Sequence, residues 1–346
     1  MIFLGDISLP FKDSIKFKSP GVFFEKKLFG NLEGAIVENS EDLKSRTIVF
    51  NDEQAINSLI EKNNFSGFAL ANNHIFDAGT LEGTVCFLKS NNIPYCGIGS
   101  SLNEANEPLI LKEEGKTIII LNFGWEVIQC EVTYGDYPGV NPLRKNHVIE
   151  TVKKALKDFP AGKVIPFMHW SYELEGEPQP FERELAMELI DLGVSGVIGC
   201  HPHRIGGFEM YKEKPIVYSL GNWMFRQNFY FDGKLKFPDF CNQELAFEWD
   251  FRNNDIKFHF FNYKRENSTL TYTHSENIES ETMKRYTPFR GMTDKEYRNW
   301  YKKNHYHKNK GLPIYYYEDS ESLRNFKNKV NKVRDLALQT ILKIRK

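Results

Sequence analysis

The feature that most constrains this chain is a series of short apolar runs, each closing on residues able to ligate a metal. The runs at 2–6, 27–37, 65–71, 163–170 and 194–198 deliver Asp6, Glu33, Asn73-His74, His169 and the pair His201/His203. Apolar runs of this length, stopped by glycine or a polar tip, read as buried strands. Between them, 54–63, 80–90, 148–159 and 181–192 have the spacing of amphipathic helices. Such alternation predicts a layered α/β fold on a largely parallel sheet, where ligands collect at the C-terminal strand tips. A lone buried Asp, Asn or His is usually a packing or capping residue. Their recurrence at successive tips marks a single site.

The tip at 195–204, SGVIGCHPHR, is the most specific of these. Strand side chains alternate faces, so the H-x-H spacing is expected to put His201 and His203 on one side with Cys200 and Pro202 on the other. Cys200 is then a buried packing thiol. Two carboxylates, one amide oxygen and three imidazoles are too many donors for one tetrahedral zinc. They suit Mn, Fe or Zn in higher coordination, or two divalent ions about 3.5–4 Å apart. His305-Tyr306-His307 repeats the spacing in a basic stretch with no strand before it and reads as solvated surface.

The segments 108–113 and 116–123 read as a hairpin around Glu114-Gly115, and 223–240 as an aromatic-rich loop. The strands expected at 244–251, 255–263 and 269–273 alternate with period two, as an antiparallel half of the structure would. Beyond 275 the chain turns polar, basic and rich in tyrosine, giving a domain over 1–274 and an extension over 275–346. The extension ends in a helical stripe, Leu323, Phe326, Val330, Val333, Ala337, Ile341 and Ile344. Its apolar face is expected to dock on the body or on another subunit. The alternative is a basic amphipathic helix making peripheral contact with an anionic membrane over 323–346.

The net charge of −1 hides an asymmetry: residues 322–346 carry eight Lys/Arg against one acidic residue, which leaves the rest at −8. That balance excludes the body as a nucleic-acid binder. No window is apolar enough to span a membrane and no leader precedes the first strand, so the chain reads as cytoplasmic, at most peripheral to the inner face of the membrane. The five cysteines are widely spaced without C-x-x-C, as for reduced thiols.

Taken together, Gly5-Asp6, Asn31-Leu32-Glu33, Ala71-Asn72-Asn73-His74 with Asp77-Ala78-Gly79, His169-Trp170 with Glu173, Gly199-Cys200-His201-Pro202-His203 and Tyr218-Ser219-Leu220-Gly221-Asn222 resemble the bacterial capsule-synthesis CapA family, associated with poly-γ-glutamate and related polymers and a divergent branch of the calcineurin-like metallophosphoesterases. The resemblance implies a four-layer α/β/β/α sandwich of the metallophosphoesterase type with two divalent metal ions. Asp6, Glu33 and His203 would hold one, and Glu33, Asn73, His169 and His201 the other. The first-strand Asp-x-His of the phosphoesterases is here Asp6-Ile7-Ser8, Glu33 stands for the bridging Asp, and Ser171 replaces a glycine.

A metal-activated water would attack phosphorus while His74 protonates the leaving oxygen. Asp77 would fix the His74 tautomer or cap the following helix, and Glu173 would support His169 or stay solvated. Arg204 and Arg226 are candidates to grip a phosphate or carboxylate, and Trp125, Tyr137, Trp223 and Phe225 to stack on a sugar or close the core edge. The expected partners are a phosphorylated sugar or polymer and the polysaccharide-synthesis machinery. The rival readings are a non-hydrolytic component of such a complex and an enzyme acting on amide bonds.

Overall fold

The computed structural model describes the chain except residues 39, 41, 42, 44–46, 309, 310, 345 and 346, and the side chains of 22, 24, 306–308 and 335–344. The fold is organised on the strand Ile2–Ser8, buried along its whole length. It pairs in parallel with Leu28–Leu32 and Asn222–Phe225 and antiparallel with Gln243–Asp250. On one side the sheet continues in parallel through Phe65–Ala69 to Tyr95–Cys96. On the other it continues through the antiparallel strands Asp255–Lys264 and Thr269–Glu276. A second sheet centres on Lys163–His169, parallel to both Lys116–Gly124 and Val197–Cys200. The hairpin partner Leu109–Glu113 lies at one edge, and Lys214–Val217 and Phe208–Tyr211 at the other.

Period-two alternation sorts the strand side chains into two cores. Phe3, Phe29 and Ala69 from the first sheet meet Ile118, Ile120, Ile165, Phe167, Ile198 and Val217 from the second. Their neighbours Ile2, Leu4, Ile119, Leu121, Val164 and Met168 join the core built with the helices Glu53–Lys62, Glu82–Ser90, Lys145–Asp158 and Pro180–Leu192. The result is the four-layer α/β/β/α sandwich. Full burial of each such Phe or Ile contributes about 1.5–3 kcal/mol. Among the described residues no helix is long and apolar enough to cross a membrane.

Three features depart from the sequence reading. Trp223–Phe225, expected in a loop, belongs to a strand Asn222–Phe225 beside the first one, joined by the Asp6 N–H to Gly221 O bond at 2.9 Å. The strand Thr269–Glu276 runs through the expected boundary at 274, and the residues after it pack into the body. There Met283, Phe289, Tyr297 and Tyr301 are buried, and Arg183 bonds both Glu209 and Asp294. His305 is likewise buried, its ring stacked on Tyr301 and its Nε2 3.0 Å from Leu312 O, because the helix Asp294–Lys308 turns that face inward. The His307 side chain lies outside the described residues.

The third departure concerns the helix Glu321–Ile344, which docks by its polar face. Asn331 is buried and donates to the hydroxyls of Tyr172 at 2.9 Å and Tyr315 at 3.1 Å, while Asn328 donates to Glu126 at 3.2 Å and Lys327 to Ile314 O at 2.7 Å. The body surface there offers hydroxyls and carbonyls, which amide and ammonium donors satisfy and apolar side chains would leave unpaired. The apolar stripe therefore faces outward: Leu323, Phe326, Val330 and Val333 are 42%, 63%, 37% and 66% exposed. The side chains of Ala337, Ile341 and Ile344 lie outside the described residues.

Candidate metal centre

The first sheet brings its tips together at Asp6 and Glu33. Asn31, between them, donates to Asp6 Oδ1 at 2.8 Å and to Glu33 Oε2 at 3.3 Å, which fixes both carboxyls in one pocket. Asn72 ties the next tip to this one, its Oδ1 accepting the N–H groups of Gly34 and His74. The second sheet supplies His169 and, just past the strand Val197–Cys200, His201 and His203. The His201 N–H donates to Asp6 Oδ2 at 3.1 Å. His203 places Nε2 3.6 Å from Glu33 Oε1, and the His169 and His201 ring centroids are 4.8 Å apart. Asn73 Oδ1 lies 2.9 Å from His169 Nε2. All six candidate ligands thus converge where the two sheets meet.

The pairing of His201 with His203 does not come from strand alternation. The strand stops at Cys200, and His201 and His203 adopt φ of +99° and +57°, a strained path that folds the H-P-H back over Asp6. Cys200 keeps the strand's orientation and is buried in the inter-sheet core, but its Sγ lies 3.2 Å from His169 Nδ1.

Three ligand-atom groups fall within 4.8 Å: Asp6/Glu33/His203, Glu33/His169/His201 and Asp6/His169/Cys200. The first two share Glu33. Burial holds the His169 and His201 imidazoles well below their usual pKa, and His203 below its own, which favours the neutral, metal-binding form of each. Burial raises the Asp6 carboxyl, and burial with the Asp6 charge raises Glu33 well above the usual range. Among the described residues no Lys or Arg pairs with either carboxyl, and Glu33 Oε1 and His201 Nδ1 are buried without a hydrogen-bond partner. Two carboxyls lacking a built-in cation, with orphaned N and O donors between them, fit divalent metal ions.

His74 stands beside this pocket, its Nε2 3.8 Å from Glu33 Oε1. Its Nδ1 lies 2.8 Å from Asp77 Oδ2, and Asp77 also accepts the Val49 N–H at 2.8 Å. Asp77 does not cap the following helix, which begins at Glu82 after Leu81. Glu173 does not support His169, whose nitrogens face Cys200 and Asn73; the residue is exposed between left-handed turns at Ser171 and Leu174, while burial of its carboxyl raises its pKa and the nearby His74 counters that rise.

The candidate substrate contacts separate. Arg204 is half-buried, with its guanidinium 4.5 Å over the Phe240 ring and bonded to Leu174 O. It lines a cavity of about 440 Å³ with Gln243, Asn262 and His274. Arg226 is committed to Ser268, Tyr263 and the Gln227 carbonyl, so it holds the body together and does not reach the pocket. Trp223 is buried against Phe17, Phe23 and Phe261, and Trp125 is buried against Tyr172 and Tyr315 at the wall of a cavity lined also by Arg144 and Phe181. Phe225 packs on His203. Tyr137 is exposed. Ser8 is bonded to Tyr230 and to Phe50 O.

Sequence reasoning gave no role to Asn222, whose Oδ1 lies 2.9 Å from His203 Nδ1. Its signals were its place at the end of an apolar run and in the Tyr218-Ser219-Leu220-Gly221-Asn222 motif.

Among curated proteins the chain is 28% identical over 173 residues to the capsule biosynthesis protein CapA of Bacillus anthracis, covering 49% of this chain and 42% of that one. It is 32% identical over 167 residues to the PGA biosynthesis protein CapA of Bacillus subtilis, covering 47% and 43%. The aligned region spans less than half the length of these relatives. Among solved structures it aligns with a 5′-nucleotidase precursor of Thermus thermophilus at 12% identity and a TM-score of 0.35, over 66% of this chain and 44% of that one. The model of the bacterial capsule synthesis proteins, PGA_cap, matches residues 24–227, more than half of the chain and all but the first of the strand tips described above, and the chain belongs to that family.

Proposed function

We propose that the protein is a metal-dependent phosphoester hydrolase of capsule or surface-polysaccharide biosynthesis, acting on a phosphorylated sugar or polymer, with His74 as general acid. The observation that supports this reading is the convergence of Asp6, Glu33, Asn73, His169, His201 and His203 on one buried pocket, where among the described residues no Lys or Arg pairs with the carboxyls, beside a His74–Asp77 pair. Divalent metal ions held by these six residues would activate a water and neutralise phosphoryl oxygens.

The chain's own contribution is orientation and proton delivery. Asn31 fixes the two carboxyls, and Asn222 fixes His203. Asp77, itself anchored by the Val49 N–H, takes the Nδ1 side of His74. The transferable proton of His74 is then on Nε2, the nitrogen nearer Glu33, from which it passes to the leaving oxygen as the P–O bond breaks.

The test is elemental analysis of wild type and of a His201→Ala/His203→Ala variant, followed by turnover of generic phosphomonoesters and phosphodiesters by the metal-loaded protein. Metal lost in the double variant, together with turnover that His74→Ala lowers by about 10²–10⁴-fold, is the expected result. Full metal loading with no turnover of either ester class would make the chain a metal-holding accessory of polymer synthesis instead.

A further inference from the structure

The outward stripe of the helix Glu321–Ile344 is unused by the fold and by the proposed chemistry. Leu323, Phe326, Val330 and Val333 follow one another at steps of three, four and three residues, which keeps them on one face over about 15 Å. All four are exposed, and two of them by more than 60%. The helix does not need this face to stay in place, because Asn328 and Asn331 anchor another side of it and Lys327, at the edge of the stripe, reaches Ile314 O.

The charge beside the stripe indicates what covers it. Residues 322–334 hold five Lys/Arg and no acidic residue, and 322–346 hold eight against one. Arg324 and Lys327 are engaged with carbonyls and Asp319 on the body, whereas Lys329 and Lys332 are exposed. Pairing this face with the same face of a second copy would bring like charges together. An apolar ridge with Lys329 at its flank and Lys332 exposed further round the helix has the pattern of a helix lying in the headgroup region, with its apolar side chains among acyl chains and its ammonium groups at anionic lipid. We propose that this helix docks the protein on an anionic lipid surface through Leu323, Phe326, Val330 and Val333, with Lys329 and Lys332 reading the charge.

The experiment is co-sedimentation of the full chain with vesicles of phosphatidylcholine alone and of phosphatidylcholine with 30% phosphatidylglycerol. Wild type is expected to bind the anionic vesicles, less tightly at high salt, and not the neutral ones. Phe326→Asp/Val333→Asp should weaken binding by about thirtyfold or more, and Lys329→Glu/Lys332→Glu by about fivefold per residue. Both pairs are exposed, so melting temperature and metal content should stay at wild-type values, which separates this result from the fate of the hydrolase reading. Equal binding to both vesicle types, or binding indifferent to the Phe326/Val333 change, overturns the proposal. So does a wild-type dimer in light scattering that Phe326→Asp/Val333→Asp dissolves.

Discussion

The orientation of His203 depends on three neighbours. Its Nδ1 meets Asn222 Oδ1 at 2.9 Å, and its ring lies 4.4 Å from that of Phe237 and 5.3 Å from that of Phe225, so Nε2 is aimed at Glu33. Removing the partner of the far nitrogen of a ligand histidine commonly costs 10–100-fold in metal affinity. Asn222→Ala is expected to show that loss in a chelator competition; unchanged affinity would mean that the aromatic packing alone orients the ring. Asp77→Asn should instead lower kcat by about tenfold or more and leave metal content unchanged, because it alters which His74 nitrogen carries the proton and touches no ligand. The ligands themselves were legible because each ends an apolar run. Asn222 also ends such a run, but its role was not legible, because its contact with His203 depends on positive φ at both histidines, and nothing in the order of residues announces that turn.

At the scale of elements, the junction between the first strand and Asn222–Phe225 limits what can stand at position 5. A Cβ on Gly5 would meet Gly221 O at 1.8 Å, and the obstacle is backbone. Gly5→Ala must therefore part the strands and stretch the Asp6 N–H to Gly221 O bond, costing about 3 kcal/mol and displacing Asp6. Urea unfolding and metal content should fall together in this variant. A stability within about 0.5 kcal/mol of wild type would show that the strand end yields cheaply. The final helix shows the other side of legibility. Three-and-four spacing identifies which residues share a face, and the stripe is there as read, but spacing does not say which face turns inward. That depended on the Tyr172 and Tyr315 hydroxyls, which accept from the Asn331 amide, and on the Ile314 carbonyl, which accepts from the Lys327 ammonium; none of them offers anything to Leu323 or Phe326.

Across the whole molecule, the strand beside Ile2–Ser8 has to join an antiparallel half to a parallel one, and Glu248 does so electrostatically as well as by pairing with Ile2. Its carboxylate meets His259 Nε2 at 2.7 Å, within the antiparallel half, and Lys26 Nζ at 2.5 Å, just before the parallel strand Leu28–Leu32. The hydrogen bond from His259 and then that from Lys26 hold its pKa down to about 2. An unfolded glutamate titrates near 4.3, so between those values the unfolded chain binds the proton and the folded one does not. The stabilisation is therefore complete above about pH 5 and is lost as pH falls toward 2. With the group partly open to solvent, screening leaves about 1 kcal/mol of it at neutral pH. Glu248→Gln should be less stable than wild type by that amount at pH 7 and equal to it near pH 2, in denaturant midpoints measured across the range. A difference that stays constant with pH would assign the loss to packing and hydrogen-bond geometry, and would mean that charge plays no part in coupling the two halves of the sheet.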